Sequence, residues 1–383
     1  TTAGEITPSG VEHGSAVAVV IDTKYIKFGI GVAEGLEKQA FNAGKSAAEH
    51  ALRDLKIDKY VDAYITFLAA KTKPPGELIK QRQFVVLTLP AGLTLDKGGW
   101  EDDMLSGVKE VVGDYTPIIG GSAGDDLRFV QTYQFANGEV YKDAVVLTII
   151  FSNVKLGFGI AHGFEPTDKI ALVTKAEGNV VYQLNGRDAA DVYAEMIGVS
   201  KEDLVKGSKI LDSTKNPIVR KVVRFAGLVG LKPENLIKNV PFYKFALENP
   251  FGVIDAKGNY WIKAPKRVVD GKYLEFYGRV QHGTAVTLMK INKENLCSTE
   301  VENVKNLKNK LSNVSLTLLF NCITRYAYLE DVLDRIYGEL TSTVNPMVGF
   351  YTYGEQGMSR YMNSAFHMYT SIVFMIGDDL ITE

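Results

Sequence analysis

Apolar residues in this chain fall into short β-rich runs separated by stretches of helical period. Residues 16–21 and 26–32 read as two strands, joined in a hairpin through Asp22, Thr23, Lys24 and Tyr25. Between residues 36 and 55, Ala40, Ala43, Ala47, Ala51 and Leu55 recur near a helical period. Residues 64–68 and 84–89 are further strands, and a loop from Pro90 to Trp100 leads into a helix through Met104, Val108, Val111 and Val112. Residues 129–135 and 144–151 flank Asn137-Gly138, a strong hairpin signal because both residues tolerate positive φ. Residues 155–161 follow after a bend at Ser152-Asn153, so three short-connected strands are expected to pair as an antiparallel meander.

From Thr174 the texture changes. A strand, a turn and a second strand lead through Asn185-Gly186 into a helix carrying Ala190, Tyr193 and Met196. Residues 201–245 hold ten Lys or Arg against four acids, which predicts a solvated helical insert near 200–240. Further strands are expected at 260–262, 273–276, 283–289 and 315–320, with helices at 294–311 and 325–337 and closing strands around 350–351 and 371–375. Strands and helices mix rather than alternate, so the expected class is α+β, in two domains of largely antiparallel sheet flanked by helices. The expected division is 1–165 and 166–383, since 383 residues exceed one typical core.

Composition narrows the function classes. A net charge of −2 gives no global argument for nucleic acid or an anionic membrane. Two cysteines, Cys297 and Cys322, form no CxxC, and five scattered histidines show no ligand spacing, so no metal centre or cofactor is expected. The first residues are not a signal peptide and no apolar run reaches 18 residues; the expectation is a cytoplasmic protein with no membrane partner.

The most informative stretch is Gly120-Gly121-Ser122-Ala123-Gly124-Asp125-Asp126. Its glycines let a backbone approach a ligand closely, its amides suit an anion, and its carboxylates suit a cation. A site facing both signs matches a zwitterion; a plain turn with a solvated Asp pair is the simpler alternative. The same residues match G-x-S-x-G, but a strand rather than a helix is expected afterwards, which disfavours a serine hydrolase. Thr1 as a self-activating nucleophile is a further hydrolase alternative. Arg325, at the end of a buried strand, can fork onto a carboxylate, either a ligand's or a neighbouring acid's. Glu355, among Tyr351, Tyr353 and flanking glycines, can accept from an ammonium or simply cap a hairpin tip.

Taken in order, Thr2-Ala3-Gly4-Glu5-Ile6, Gly120 to Asp125, Asn321-Cys322-Ile323-Thr324-Arg325 and Gly349 to Glu355 resemble a FIST-domain protein, N-terminal half followed by C-terminal half. Leu184-Asn185-Gly186, Asn249-Pro250-Phe251-Gly252 and Asp270-Gly271 also fit. The resemblance implies a non-enzymatic sensory module that binds a small molecule, with amino acids favoured. It implies output through histidine kinases, cyclic-dinucleotide enzymes or chemotaxis machinery. Some relatives bind haem and sense nitric oxide; His162, His282 or His367 would then be the axial candidates. The chain departs from the family pattern in opening inside the Thr-Ala-Gly-Glu segment, without the expected first strand, and in carrying Lys263 where arginine is expected. In the resulting picture Arg325 and the Gly121 and Ser122 amides take a ligand carboxylate, Glu355 or Asp125 takes its ammonium, and Tyr351 and Tyr353 form walls between the two halves.

Overall fold

The computed structural model describes residues 1–56, 83–94, 97–213, 241–255, 258–358 and 364–381. In chain order the first elements are β1 (Glu5–Thr7), β2 (Gly10–Glu12), β3 (Ile26–Glu34), α1 (Leu36–Leu55), β4 (Gln83–Pro90), α2 (Glu101–Val112) and β5 (Ile118–Gly121). There follow β6 (Gln134–Ala136), β7 (Glu139–Tyr141), β8 (Ala144–Ser152), β9 (Val154–Ala161), β10 (Glu165–Glu177), β11 (Val180–Leu184), β12 (Arg187–Asp188), α3 (Ala189–Ile197), α4 (Lys201–Ser213) and α5 (Pro241–Glu248). Next come β13 (Phe251–Ile254), β14 (Tyr260–Lys263), β15 (Pro265–Val269), β16 (Tyr273–Phe276), β17 (Ala285–Lys290) and α6 (Lys293–Lys308). The last are β18 (Val314–Cys322), α7 (Ile323–Leu329), α8 (Leu333–Thr343), β19 (Met347–Thr352), β20 (Glu355–Gly357), β21 (Ala365–His367) and β22 (Ser371–Leu380).

Two six-stranded sheets, ordered β2-β1-β19-β18-β22-β9 and β21-β20-β5-β4-β8-β3, share one apolar layer. Val85, Ile119 and Ile150 of one sheet meet Leu156, Phe320, Ile372 and Phe374 of the other there. Both sheets are mixed, because β4 runs parallel to β5 and β18 parallel to β19. Both also draw strands from the two ends of the chain. Residues 165–290, by contrast, build an antiparallel sheet of their own, β14-β13-β17-β10-β11-β16-β15, with a separate core around Tyr193, Phe242, Phe251 and Leu274. The α+β class is therefore as expected.

Several expected elements are realised differently. Residues 16–21 form no strand and pair with none of the described strands, and Val20 is 91% exposed. The reason is topological: β2 belongs to one six-stranded sheet and β3 to the other, so the intervening residues bridge sheets rather than fold back as a hairpin. The meander also fails. Both edges of β8 are taken, by β3 and β4, while β9 pairs with β22; the Ser152-Asn153 bend carries the chain between sheets. Only Gln134–Ala136 of the strand expected at 129–135 forms, because the Asp125 carboxylate captures the amides of Phe129, Val130 and Gln131. The last helix is divided by a 3₁₀ turn between α7 and α8. The strand expected at 64–68 and the part of the helical insert beyond Ser213 lie outside the described residues.

Close helix packing explains the small residues of α1. A Cβ on Gly107 of α2 would lie 1.9 Å from the Phe41 carbonyl oxygen, and one on Gly44 of α1 would lie 2.1 Å from the Met104 oxygen. The two helices therefore meet backbone to backbone. Alanine favours a helix over glycine by about 1 kcal/mol, so intrinsic preference and packing oppose each other at these positions. Gly107→Ala is expected to destabilise the protein by about 1–3 kcal/mol in urea unfolding; a stabilised variant would contradict the close crossing.

Candidate functional site

The four sequence segments converge on β19 and β20. β1 pairs with β19, with the Ala3 N–H donating to the Tyr351 carbonyl at 3.0 Å. β18 lies beside β19 on its other edge, opposing Asn321 to Tyr351 and Cys322 to Thr352. The chain then crosses between sheets at Tyr353-Gly354, and β20 opposes Glu355 to Gly121 of β5. The crossing is closed by the Ser122 N–H on the Gly354 carbonyl, 2.8 Å, and the Tyr353 N–H on the Ser122 carbonyl, 3.0 Å. Gly121 cannot carry a side chain here, because a Cβ would lie 2.3 Å from the Thr352 methyl.

All seven expected site residues are thus in one neighbourhood, but each has a partner within the protein. Asp125 accepts from the Phe129, Val130 and Gln131 amides and from the Tyr353 hydroxyl at 2.7 Å. Phe129 stacks on the Tyr353 ring, with centroids 4.7 Å apart. The Tyr351 hydroxyl meets that of Tyr337 at 2.8 Å. Arg325, 1% exposed, donates to Glu300 at 2.8 Å, to the Leu296 carbonyl at 2.8 Å and to the His162 carbonyl at 3.0 Å. Burial alone would lower the guanidinium's pKa, but the Glu300 carboxylate and its hydrogen bond outweigh it and hold it above its ordinary value. The other Glu300 oxygen accepts from Asn321 and Ser371.

Two carboxyl groups in this neighbourhood are buried with no ion pair to a described residue. Glu355 accepts from the Thr352 hydroxyl and from the Thr370 amide and hydroxyl. Burial pushes it up to about 7, with those hydrogen bonds pulling the other way. Glu101, at the start of α2, receives the Ser122 hydroxyl at 3.4 Å and is pushed up to about 8, again mainly by burial. Ser122 in turn accepts from the Gln356 amide, 3.0 Å, and is wholly buried. With turn residues rather than a helix after Gly124, this serine lacks the frame of a nucleophile elbow. Burial likewise raises the Cys322 thiol, so it stays protonated.

The open space lies one residue away. A cleft of about 800 Å³ runs between β9 with the following His162-Gly163-Phe164, β14 and one face of α6. Asn259, Asn295, Thr299, Glu302, Asn303, Asn306, Lys310, His367 and Thr370 give it polar walls; Phe158, Tyr260 and Trp261 give it aromatic ones. None of the seven expected residues lines it. Two of its wall residues are nevertheless held by them: Thr370 donates to Glu355, and the His162 carbonyl accepts from Arg325. Burial takes His162 down to about 4 and His367 to about 3, with Arg325 and Lys263 respectively adding to the effect, so both rings are neutral at physiological pH. Two buried donors in these walls, Trp261 Nε1 and Asn303 Nδ2, have no partner among the described residues.

Sequence reading missed Glu300, Glu101 and the cleft. Glu300 had a signal: it falls at helical spacing within the buried positions Leu296, Cys297, Val301 and Val304 of α6. A charged residue inside an apolar stripe needs a counter-charge, and Arg325 was available.

The FIST N domain matches residues 1–187 and the FIST C domain residues 189–358. An uncharacterized protein of Methanocaldococcus jannaschii is 32% identical over 208 residues, covering 54% of this chain and 36% of its own length. An uncharacterized protein of Aquifex aeolicus is 32% identical over 97 residues, covering 23% of this chain and 36% of its own length. The chain therefore spans about a third of the length of these relatives.

Two predictions follow from the buried network. Arg325→Met, which strands the Glu300 carboxylate, should cost about 3–5 kcal/mol of unfolding free energy. The double variant Arg325→Met/Glu300→Gln should cost clearly less than the sum of the singles, as a double-mutant cycle would read. The second concerns pH. A carboxyl whose folded pKa is raised stabilises most below its unfolded value near 4.5 and loses that contribution as pH climbs through the folded value. The lowered histidines add stability only up to about pH 6.5, their unfolded value. Stability should therefore fall between about pH 6.5 and 8, and Glu101→Gln should flatten that fall in urea titrations at stepped pH.

Proposed function

The chain belongs to the FIST family, with its N and C domains in order, and from that premise we propose that it receives an amino acid or a similar zwitterion in the cleft beside α6. FIST domains are sensory domains of signal transduction. The observation that carries the reading is the construction of the cleft. Its walls come from β9 and the residues after it, from β14 and α6, and from Met358, His367 and Thr370. The residues that set it are buried groups with fixed partners, so its shape is made before any ligand arrives.

The wall chemistry supports a small polar ligand. Amide side chains, threonine hydroxyls and neutral imidazoles both donate and accept hydrogen bonds without adding net charge. Glu302 and Lys310 supply one charge of each sign. The indole and Asn303 donors left unpartnered suit a ligand carboxylate, since a buried donor without an acceptor is costly. In this reading Arg325, Asp125, Glu355, Tyr351, Tyr353, Gly121 and Ser122 act from behind the wall, by holding it, and the ligand touches the cleft residues. The signal would pass to a separate output such as a histidine kinase, a cyclic-dinucleotide enzyme or chemotaxis machinery, in the cytoplasm.

Haem suits the cleft less well. His162 and His367 both line it, whereas His282 is exposed elsewhere. His162 Nδ1 already accepts from the Phe164 amide at 3.0 Å, His367 Nε2 faces the Gly357 carbonyl, and the amide-rich walls are not the apolar slot a macrocycle needs.

Thermal unfolding in the presence of each common amino acid tests the proposal. A ligand at about 100 times its Kd should add about 2.7 kcal/mol of stability. Asn306→Ala, on the exposed face of α6, should abolish the shift while leaving the unliganded protein as stable as before. Flat curves for every amino acid would refute it.

A further inference from the structure

A second cavity lies on the far side of Trp261. It measures about 330 Å³, between one face of α2, carrying Asp102, Ser106 and Lys109, the strand residues Trp261 and Lys263, and Arg279 of the loop after β16. Trp261 lines both this cavity and the cleft.

The charges around the smaller cavity are unequally committed. Arg279 is engaged with Asp103, and its backbone N–H donates to Asp102 at 2.6 Å. Asp255, the other acid of the lining, holds the Asn259 amide at 2.9 Å. The Lys109 and Lys263 side chains, by contrast, have no hydrogen bond or ion pair to any described residue. Burial lowers both ammonium groups; the Asp114 and Asp102 charges restore Lys109 only in part, and the Asp102 charge restores Lys263 only in part, so each is a partly desolvated cation with no carboxylate in direct contact among the described residues. They stand on different walls, one on a helix and one on a strand.

Two separated point charges recognise two separated anionic groups better than one compact anion. From this arrangement we infer that the cavity between α2 and β14 binds a short dicarboxylate, one carboxylate on Lys109 and the other on Lys263. Phosphate is the poorer fit, because it would concentrate its charge at one point, and lysine offers no bidentate fork to hold it there. The site is separate from the cleft of the proposed function and does not depend on that reading.

Isothermal titration of the purified chain with succinate and glutarate, and with phosphate and acetate for comparison, tests the inference. At least one dicarboxylate should bind saturably and quench or shift the tryptophan emission. Lys263→Gln and Lys109→Gln should each weaken it at least tenfold, and Lys263→Arg should weaken it less than Lys263→Gln. Asn306→Ala in the cleft should leave this binding unchanged, which separates failure here from failure of the amino-acid reading. Because neither ammonium makes a direct ion pair or hydrogen bond with a described residue, each Gln variant should keep its melting temperature, so lost binding cannot be assigned to misfolding. The inference is overturned by absence of saturable dicarboxylate binding, by affinity indifferent to both Gln variants, or by phosphate binding more tightly than either dicarboxylate.

Discussion

A guanidinium excluded from water must find its counter-charge inside the protein, and the Arg325–Glu300 pair meets that demand at the junction of five elements. Arg325 stands on α7 and reaches α6 through Glu300 and the Leu296 carbonyl, and the end of β9 through the His162 carbonyl. Glu300 passes the connection on to β18 through Asn321 and to β22 through Ser371. Neither charge can move without exposing the other to an interior that cannot solvate it. The helices, the strand ends and the cleft wall are consequently tied to one another through one buried ion pair and the hydrogen bonds its two members make.

The same constraint separates what holds the site from what faces a ligand. The glycines at 120, 121 and 354 allow two sheets to share one crossing strand, and the amides released there bond to each other. Burial raises the Glu355 and Glu101 carboxyls to about 7 and about 8, and hydroxyl-bearing neighbours satisfy them with no direct ion pair among the described residues. Polar residues this well satisfied have little to offer an incoming molecule. The space left for one lies beyond them, where Asn, Thr and neutral His side chains line a cleft and some donors remain unsatisfied.

Much of the local structure was legible. The alanine period of 36–55 marked α1 to its ends, and strands such as β8, β16 and β18 were readable from their apolar runs. The motif residues were also legible as a set, since all four segments do meet. Their roles were not. Arg325 as a ligand group and Arg325 as half of an internal pair look identical from the residues around it, because the deciding partner lies 25 positions away on another helix. Asp125 was open to the same ambiguity until its loop was seen to fold over it.

What the chain determined unaided was the nature of its segments: period, turn chemistry and the grouping of glycines with ionisable residues depend on neighbours within a few positions. Tertiary structure alone decided which edges pair and which charges meet. β8 and β9, one residue apart, fold into different sheets because each edge goes to whichever strand completes the shared apolar layer, and that choice is a property of the assembled layer rather than of either strand.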